Sequence, residues 1–540
     1  AVKQNERSSW VPVPRQFDAN HLAFTGLLEW REAPPSPGLN ISVIPYLTGS
    51  TNKDHEEGTP TESSFDAGGD IKVAITPSLN LDLTFNPDFS QVEVDRQITN
   101  LSRFELFFPE RRQFFLENED LFSRFGFPNS RPFFSRRIGL SDSGQVPIIA
   151  GARLSGKLDD NWRVGLLNMQ TAKEKEAGIN PANYSIGVVQ RKVFDRSYVG
   201  AVFVNKENFV SDGEGGYKLD GNGYNRVAGL EYNLYSQDGK WEAELFYHRS
   251  FSAEKNNDAQ SAALFVGHFT RHWRLFLPAQ YIGKHYRADA GFVPRAGFLS
   301  FSPGITHNIF PRNPKVAKKI IQFGLEVKTD FIYNQPDYRL ADRSIQPGAF
   351  VEFPGQSSLY FRFSNDFTFL YFPFDPTNKG EGEKLPVGEY EYNSAVAGFN
   401  SDVRKKFFFD VEAGRGEFFN GDISRVEGAI NFRWQPIGIF AATFAYNDIK
   451  LPAPYNSASF WLIGPRAELS FSRSLFFSTF LQYNTQSNNV NINSRLQWRF
   501  RPVSDVFLVY TDNYYSDQFF NGPQVKNRAL VLKITYWLNL

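Results

Sequence analysis

The residues best suited to chemistry are concentrated in one stretch, residues 86–139. Between positions 103 and 137 it holds seven arginines and five acidic residues, interleaved with phenylalanine pairs. A guanidinium group grips carboxylate or phosphate with two parallel hydrogen bonds, and aromatic rings stack on sugars or apolar chains. This composition therefore suits a ligand platform or a gate.

The same residues also suit a constitutive plug, because buried and half-buried charges usually pair with one another. The residue types alone leave both interpretations open. The candidate residues for either role are Arg103, Phe107, Phe108, Glu110, Arg111, Arg112, Phe114, Phe115, Glu117, Arg136 and Arg137. Asp88, Glu93 and Asp95 have calcium-binding side chains, but their spacing is weak evidence, and we predict no metal.

Signals of catalysis or of bound cofactors are weak elsewhere in the chain. With no cysteine, the chain has no disulfide framework, thiol nucleophile, cysteine zinc site or haem-attachment motif. His268 and His272 lie four residues apart, but outside any metalloprotease motif and on no helix. Lysine plus arginine equals aspartate plus glutamate at 58 each, which argues against nucleic-acid binding. We therefore predict no enzyme activity and no cofactor.

The elements that must position these residues follow a period of two. At the C-terminus Leu530, Leu532 and Ile534 alternate with the polar residues Lys533 and Thr535. Successive side chains of a strand point to opposite faces, so one face suits lipid and the other suits water. Aromatic residues make up 16% of the chain although its mean hydropathy is only −0.39. Together these features predict an all-β, antiparallel transmembrane barrel of the outer-membrane type.

Short turns alternate with longer polar connections such as 51–64 and 210–223, which is typical of periplasmic turns and external loops. We count ten hairpins from 146 to 516 and further strands near both ends, at 8–16, 21–30, 40–50, 65–77, 79–90 and 527–540. The total is 26 strands, with 24 to 26 accepted, and an even number places both termini in the periplasm. A soluble propeller is the alternative, but blade-length repeats are not seen.

Residues 91–145 form the one long stretch that does not alternate. Wall side chains cannot fill the lumen of so wide a barrel, so water, another protein or a folded-in segment must. We therefore expect a single barrel domain over 1–540, with 91–145 folded into or over the lumen as a plug. The opening residues AVKQNERSSW lack an apolar signal core, so we expect a mature or truncated product.

Several motifs resemble one bacterial family. They are Asn86–Asp95 (NPDFSQVEVD), Phe107–Glu117 (FFPERRQFFLE), Phe134–Gly139 (FSRRIG), Trp10–Arg15 (WVPVPR) and Pro45–Ser50 (PYLTGS). The chain resembles the DUF5916 family, often labelled carbohydrate-binding family 9 domain-containing proteins, over essentially its whole length. The resemblance implies an outer-membrane location but no established activity or catalytic residues. Members typically begin with a periplasmic sugar-binding β-sandwich, which this sequence does not show.

We expect a transport or passage channel, or the barrel scaffold of an envelope complex, with the lumen occluded by 91–145. A glycan-binding surface protein and a sheath around an electron-transfer partner are the alternatives. A TonB-dependent transporter would place its own plug domain ahead of a 22-stranded barrel, whereas strands begin almost at once here. The expected partners are membrane lipid and lipopolysaccharide, with a protein partner or a glycan also allowed.

Overall fold

The computed structural model describes residues 11, 26–32, 40–87, 97–141, 144–175, 177–214, 216–254, 256–380 and 382–540. Within them the chain forms one antiparallel barrel of 24 strands. In chain order, β1 to β24 are Ile41–Asp54, Glu62–Thr76, Leu79–Phe85, Ile148–Lys157, Trp162–Thr171, Ala182–Val193, Ser197–Ser211, Tyr217–Tyr235, Trp241–Ser252, Gln260–Phe269, Trp273–Ile282, Phe298–Phe301 continued by Gly304–Ile309, Gln322–Asn334, Arg339–Glu352, Ser358–Leu370, Gly388–Asn400, Phe407–Phe418, Gly421–Trp434, Gly438–Lys450, Ala458–Ser470, Leu475–Asn484, Asn489–Arg501, Ser504–Tyr514 and Val525–Thr535.

The barrel closes between its first and last strands. Tyr46 of β1 pairs with Thr535 of β24, and the ladder continues to Asp54 and Asn527. A short extension, Leu538–Asn539, adds two more pairs to β1. β12 is split at Ser302–Pro303 because proline has no N–H to donate to the ladder. Closure leaves no unpaired sheet edge, as a lipid environment requires.

The strand count lies at the lower end of the predicted range, and all ten hairpins predicted between 146 and 516 are present. The expected strand over 21–30 is not formed where it is described, since 26–30 is not strand. β1 pairs instead with β2 and β24. The expected strand over 8–16 lies outside the described residues, except for Val11. The predicted loops 51–64 and 210–223 are shorter, because their flanking strands extend into them.

The two faces of the wall differ as the alternation predicts. Leu530, Leu532 and Ile534 are 39–47% exposed on the outer face, where lipid would cover them. Four exposed tryptophans lie on the outside at the end of the barrel with the short turns, namely Trp241, Trp273, Trp434 and Trp498 on β9, β11, β18 and β22. Such tryptophans are typical of a membrane–water interface.

The connection between β3 and β4 is much longer than the others and carries most of the helical structure. We call its described part, residues 97–141, the inner segment. It contains two short helices, α1 (Gln113–Leu116) and α2 (Glu119–Ser123), and a 3-10 turn at Ser135–Arg137. A further short helix, α3 (Pro314–Ala317), caps the β12–β13 connection. Within the described residues, no helix is both long and apolar enough to span a membrane, a finding that has no bearing on spanning strands.

Candidate functional site: the inner segment and the wall it contacts

The inner segment packs on the face of the wall opposite to the exposed aliphatic side chains. Its core consists of Phe115, Leu121, Phe122, Phe125 and Phe133, all buried. These side chains lie against aliphatic wall residues of β5, β6 and β7, which we call the aliphatic sector: Leu167, Met169, Ile186, Val188, Val202 and Val204. Burial of apolar area is therefore the main force that holds the segment to this part of the wall.

Two wall glycines make room for this core. A Cβ atom at Gly165 would lie 2.8 Å from Phe122 Cζ and 2.9 Å from Leu121 Cδ2. One at Gly200 would lie 3.1 Å from Phe125 Cε1. The inner wall is thus shaped to receive the segment, because any larger residue at Gly165 would displace it.

A buried ionic network ties the segment to β2, β3 and β4. Asp82 of β3 accepts two hydrogen bonds from Arg153 of β4, at 2.6 and 3.1 Å, and both side chains are 2% exposed. Arg153 also donates to the carbonyl oxygens of Phe114 and Glu117, the latter at 2.7 Å. Lys72 of β2 completes the network by pairing with the carboxylates of Glu117 and Asp82. The wall cations therefore fix both ends of α1.

A second cluster lies within the segment itself. Glu110 is bound by Arg112 through two hydrogen bonds of 2.7 and 2.9 Å, and Ser135 Oγ donates to it at 2.6 Å. Arg112 also donates to the carbonyl oxygens of Ser135 and Ile138, both at 2.7 Å. Burial alone would raise the pKa of Glu110, but these hydrogen bonds and the charge of Arg112 outweigh it and hold the pKa below its usual range. The cluster therefore connects the residues just before α1 with the 3-10 turn at Ser135–Arg137.

The α2 end of the segment is bound to β8, β9 and β11. The backbone N–H of Gly126 donates to Glu231 at 2.6 Å, and His248 contacts the same carboxylate oxygen at 3.0 Å. Gln280 donates to Ser130 at 2.5 Å. The α2 residue Asp120 accepts from Arg163 of β5 at 2.9 Å. Hydrogen bonds therefore follow the apolar core along the wall from β5 to β11.

The β11–β12 connection, residues 283–297, folds back onto the segment. Arg131 and Phe292 exchange backbone hydrogen bonds of 2.9 and 3.0 Å, as neighbours in a sheet do. The backbone N–H of Phe134 donates to Ala290 at 2.7 Å. Phe107 packs between Phe134 and Phe292, with ring centroids 4.8 and 5.3 Å away. The β11–β12 connection is therefore joined to the segment by backbone hydrogen bonds as well as by packing of aromatic rings.

The N-terminal part of the segment reaches a different part of the wall. Arg103 pairs with Asp342 of β14 at 2.7 Å, and Arg295 binds the other oxygen of the same carboxylate at 2.6 Å. The backbone of Asn100 exchanges two hydrogen bonds with the side chain of Gln486, at 2.8 and 2.9 Å. The segment thus crosses from the β2–β11 side to β14 and to the connection after β21.

Most of the candidate residues from the sequence lie together, and several contact each other. Phe114 and Phe115 meet edge to face, and Arg112 covers the ring of Phe115 at 4.4 Å. Arg136 lies 5.9 Å from the ring of Phe108 and donates to the carbonyl of Pro109. The two candidates that stand apart are Arg103, which pairs with Asp342 of β14, and Arg137, which donates to Gly291 and pairs with Glu105.

Arg111 lines a cavity of about 430 Å³ between the segment and β22–β24. Its far wall includes Arg495, Gln497 and Lys533. Beyond it lies a ladder of side-chain hydrogen bonds that we call the polar sector: Asn491, Asn493, Thr511, Asn513 and Asn527. The segment is therefore separated from this side of the wall by open space at the level of α1.

Sequence reasoning did not identify the wall partners Asp82, Arg153, Glu231 and His248. Their signal was present, because each is a polar residue on the inward phase of an alternating strand. The sequence does not indicate which strand lies next to which part of the segment, because this depends on how the barrel closes. The acidic residues considered for calcium, Asp88, Glu93 and Asp95, lie outside the described residues. Within the described part of the chain, no three His, Cys, Asp or Glu residues are grouped as metal ligands.

Comparison with known proteins finds no match among curated proteins. Among solved structures, the chain is similar to the ferripyoverdine receptor FpvA of Pseudomonas aeruginosa, with 9% identity, a TM-score of 0.46 and coverage of 73% of this chain and 70% of that one. It is also similar to the ferric yersiniabactin uptake receptor FyuA of Yersinia pestis, with 9% identity, a TM-score of 0.43 and coverage of 94% and 81%.

The family comparison is more extensive. The sequence profile described as "Domain of unknown function (DUF5916)" matches residues 37–447, a range that spans β1 to β18, the inner segment and most of β19. This match confirms the resemblance seen in the motifs around the inner segment. The chain belongs to the DUF5916 family.

Proposed function

We propose that this protein is an outer-membrane transport channel whose lumen is closed by the inner segment, and that passage requires the segment to move. The observation that carries the proposal is the crossing of the segment from the β2–β11 side of the wall to β14 and Gln486. A segment bound to separated parts of a wide barrel obstructs it.

The cavity beside the segment supports the same proposal. It lies between α1 and the inner face of β22–β24, and one of its edges reaches Val503 in a short turn. Its lining mixes apolar side chains with polar and charged ones, which on the barrel side include Arg495, Gln497 and Lys533. Polar linings are typical of water-filled barrels, so a small displacement of the segment would extend this space into a passage.

The orientation follows from the lengths of the connections. Short turns occupy the end where the described parts of the first and last strands begin and end, and longer connections occupy the other end. In barrels of this class short turns face the periplasm. We therefore place both ends of the barrel chain in the periplasm and the longer connections, with lipopolysaccharide around them, at the cell surface.

Conductance of the purified protein in planar lipid bilayers tests the proposal. The test variant replaces residues 103–137 by a short Gly-Ser linker. We expect the intact chain to conduct little and the variant to conduct steadily, because the bulk of the obstruction is gone. Heat-modifiable migration on gels checks that the variant still forms a barrel. Equal conductance of two folded proteins would refute the proposal.

A further inference from the structure

A second cavity, of about 390 Å³, lies at the opposite end of the inner segment from α1. It is bounded by Arg137 and Leu140 of the segment, by the β5–β6 connection near Ile179, and by residues 286–293 of the β11–β12 connection. This volume falls within the range of small-molecule sites, which is about 300–1,000 Å³. The cavity opens at the end of the barrel that carries the longer connections.

The charges around this cavity do not balance. Three cations and one acid line it among the described residues: Arg137, Lys206, Arg287 and Asp289. Arg137 is neutralised by Glu105 at 2.6 Å, and Arg287 binds both oxygens of Asp289 at 2.7 and 2.9 Å. In the part of the chain that the structure describes, the ammonium group of Lys206 has neither a salt bridge nor a hydrogen bond. One positive charge is therefore left for a ligand.

Three neighbouring strands fix the position of Lys206. Across the ladders it lies opposite Tyr184 of β6 and Asn225 of β8. Its ammonium group is 5.8 Å from the centroid of the Tyr184 ring. Asn225 donates to the carbonyl of Arg287 at 3.1 Å and accepts from the N–H of Asp289 at 2.9 Å. The wall thus holds the loop in place beside the unpaired cation.

The side chain of Tyr286 lines the cavity, but its hydroxyl is closed off from the open space and lacks a partner among the described residues. Tyr286 is 2% exposed, and its hydroxyl makes no hydrogen bond to any described residue. Such a group costs free energy unless something binds it. Burial raises the pKa of Tyr286 well above its usual range, so the hydroxyl remains a donor at neutral pH. The side-chain amides of Asn180 and Asn208 offer groups that both donate and accept, as sugar hydroxyls require.

We propose that this cavity binds a small sugar acid, with its carboxylate on Lys206 and its hydroxyl groups on the amides of Asn180 and Asn208. The single uncompensated positive charge fits a monoanionic carboxylate better than a phosphate monoester, which carries about −1.5 to −2 at neutral pH. Ile179, Ala288 and Val293 offer an apolar surface for one face of the sugar ring. Because Arg137 and Leu140 belong to the inner segment, a bound ligand touches the segment as well as the wall.

Calorimetric titration of the full chain in detergent at pH 7 tests the proposal with three probes: D-glucuronate, neutral D-glucose and inorganic phosphate. We expect saturable binding of glucuronate that is stronger than binding of the other two. Lys206→Met should weaken it at least about tenfold, since a charge-assisted hydrogen bond is lost. Tyr286→Phe should leave it unchanged, because that hydroxyl is closed off from the cavity.

Two control variants separate binding from folding. Lys328→Met removes a charge from a wall lysine that pairs with Glu326 on β13, and binding should not change. Lys206→Arg keeps the charge and should retain most of the affinity. Tyr286→Phe removes an unpaired hydroxyl, so a folding defect is not expected from it. The proposal is overturned by absent binding of glucuronate, by equal binding of glucose, by tighter binding of phosphate, or by unchanged affinity in folded Lys206→Met. These titrations do not depend on whether the inner segment moves.

Discussion

The aliphatic sector and the polar sector are parts of one inner wall, but they differ in how they contact the inner segment. The aliphatic sector buries Phe115, Phe122 and Phe125, and the buried Asp82–Arg153 pair lies beside it. The polar sector satisfies its own amides along β22, β23 and β24, and another stretch of the same strands faces α1 across the cavity of about 430 Å³. At the level of α1 the segment is thus fastened to the aliphatic sector and faces open space on the other side, while its N-terminal part is bound to Asp342 and Gln486.

This difference teaches where a passage can open. Leaving the aliphatic sector exposes apolar surface and unpairs buried charges, and both changes cost free energy. Among the described residues, the asparagines of the polar sector bond to one another across the strands and not to the inner segment. We therefore expect the passage to form along β22–β24 once the anchor of the segment on the aliphatic side loosens.

The largest effect is expected from Arg153→Met. It leaves Asp82 buried without its cation and deprives two carbonyls of the segment of their donor. Loss of one partner of a buried pair costs about 3–5 kcal/mol. Urea unfolding in detergent micelles should show a loss of this size, and proteases should cut within 97–141. Arg191→Met, an exposed change on β6, is the control and should stay within about 0.5 kcal/mol. Equal stability of the two variants would show that the network does not hold the segment.

A smaller loss should follow Gly165→Val. The new side chain meets Phe122 and Leu121 within 3 Å, and such overpacking costs about 1–3 kcal/mol. Because the segment is displaced from the aliphatic sector, channel openings in planar bilayers should become more frequent. Gly187→Val is a matched control, because the nearest atom to its Cβ is Leu166 Cδ2 at 3.7 Å on the outer face. If both variants open equally often, the segment is not what limits conductance.

Glu110→Gln tests the cluster inside the segment through its pH dependence. The pKa of Glu110 is lowered in the folded protein, so its carboxylate stabilises the fold above its unfolded pKa of about 4.3. That contribution is lost as the pH falls through the folded pKa. At pH 7 we expect the variant to be less stable by about 1–3 kcal/mol, and the gap to narrow as the solution is acidified towards pH 3. A gap that stays constant from pH 7 to pH 3 would contradict the assignment.

The smallest effect should come from the polar sector. Asn513→Ala removes hydrogen bonds with Asn489, Asn491 and Asn527 at 2.7–3.1 Å, each worth about 0.5–1.5 kcal/mol where water cannot replace it. Water can enter a polar lumen, so we expect a loss of about 1 kcal/mol or less in urea unfolding and no change in protease access to 97–141. A loss as large as that of Arg153→Met would mean that the two sectors do not differ in kind.

Much of the wall could be predicted from sequence, because a period of two is a local property. The outward residues Leu530, Leu532 and Ile534 and the inward Lys533 were assigned to the faces on which they lie. The strand at 21–30 was predicted wrongly in its described part because closure is not local. β1 pairs with β24, which lies almost 500 residues later in the chain, and no turn near β1 indicates this pairing.

The candidate residues of the segment could be found from sequence, but their partners could not. The length and composition of the segment mark it as unusual, and one of its arginines, Arg103, pairs with the wall carboxylate of Asp342. In the stronger network the cation belongs to the wall, because Arg153 donates to carbonyl oxygens of the segment. Because every residue has a backbone carbonyl group, the sequence does not indicate which carbonyls accept these hydrogen bonds.

The most direct test of the central claim is a reversible lock on the inner segment. Asn118 Nδ2 lies 3.0 Å from Ser155 Oγ of β4, and the chain has no native cysteine, so Asn118→Cys with Ser155→Cys provides a single engineered disulfide. Introduced together with Gly165→Val, the disulfide should abolish the extra channel openings, and a reducing agent should restore them. Each single-cysteine variant in the same background should stay open under both conditions. Openings that persist while the disulfide is intact would contradict the claim that movement of the segment opens the barrel.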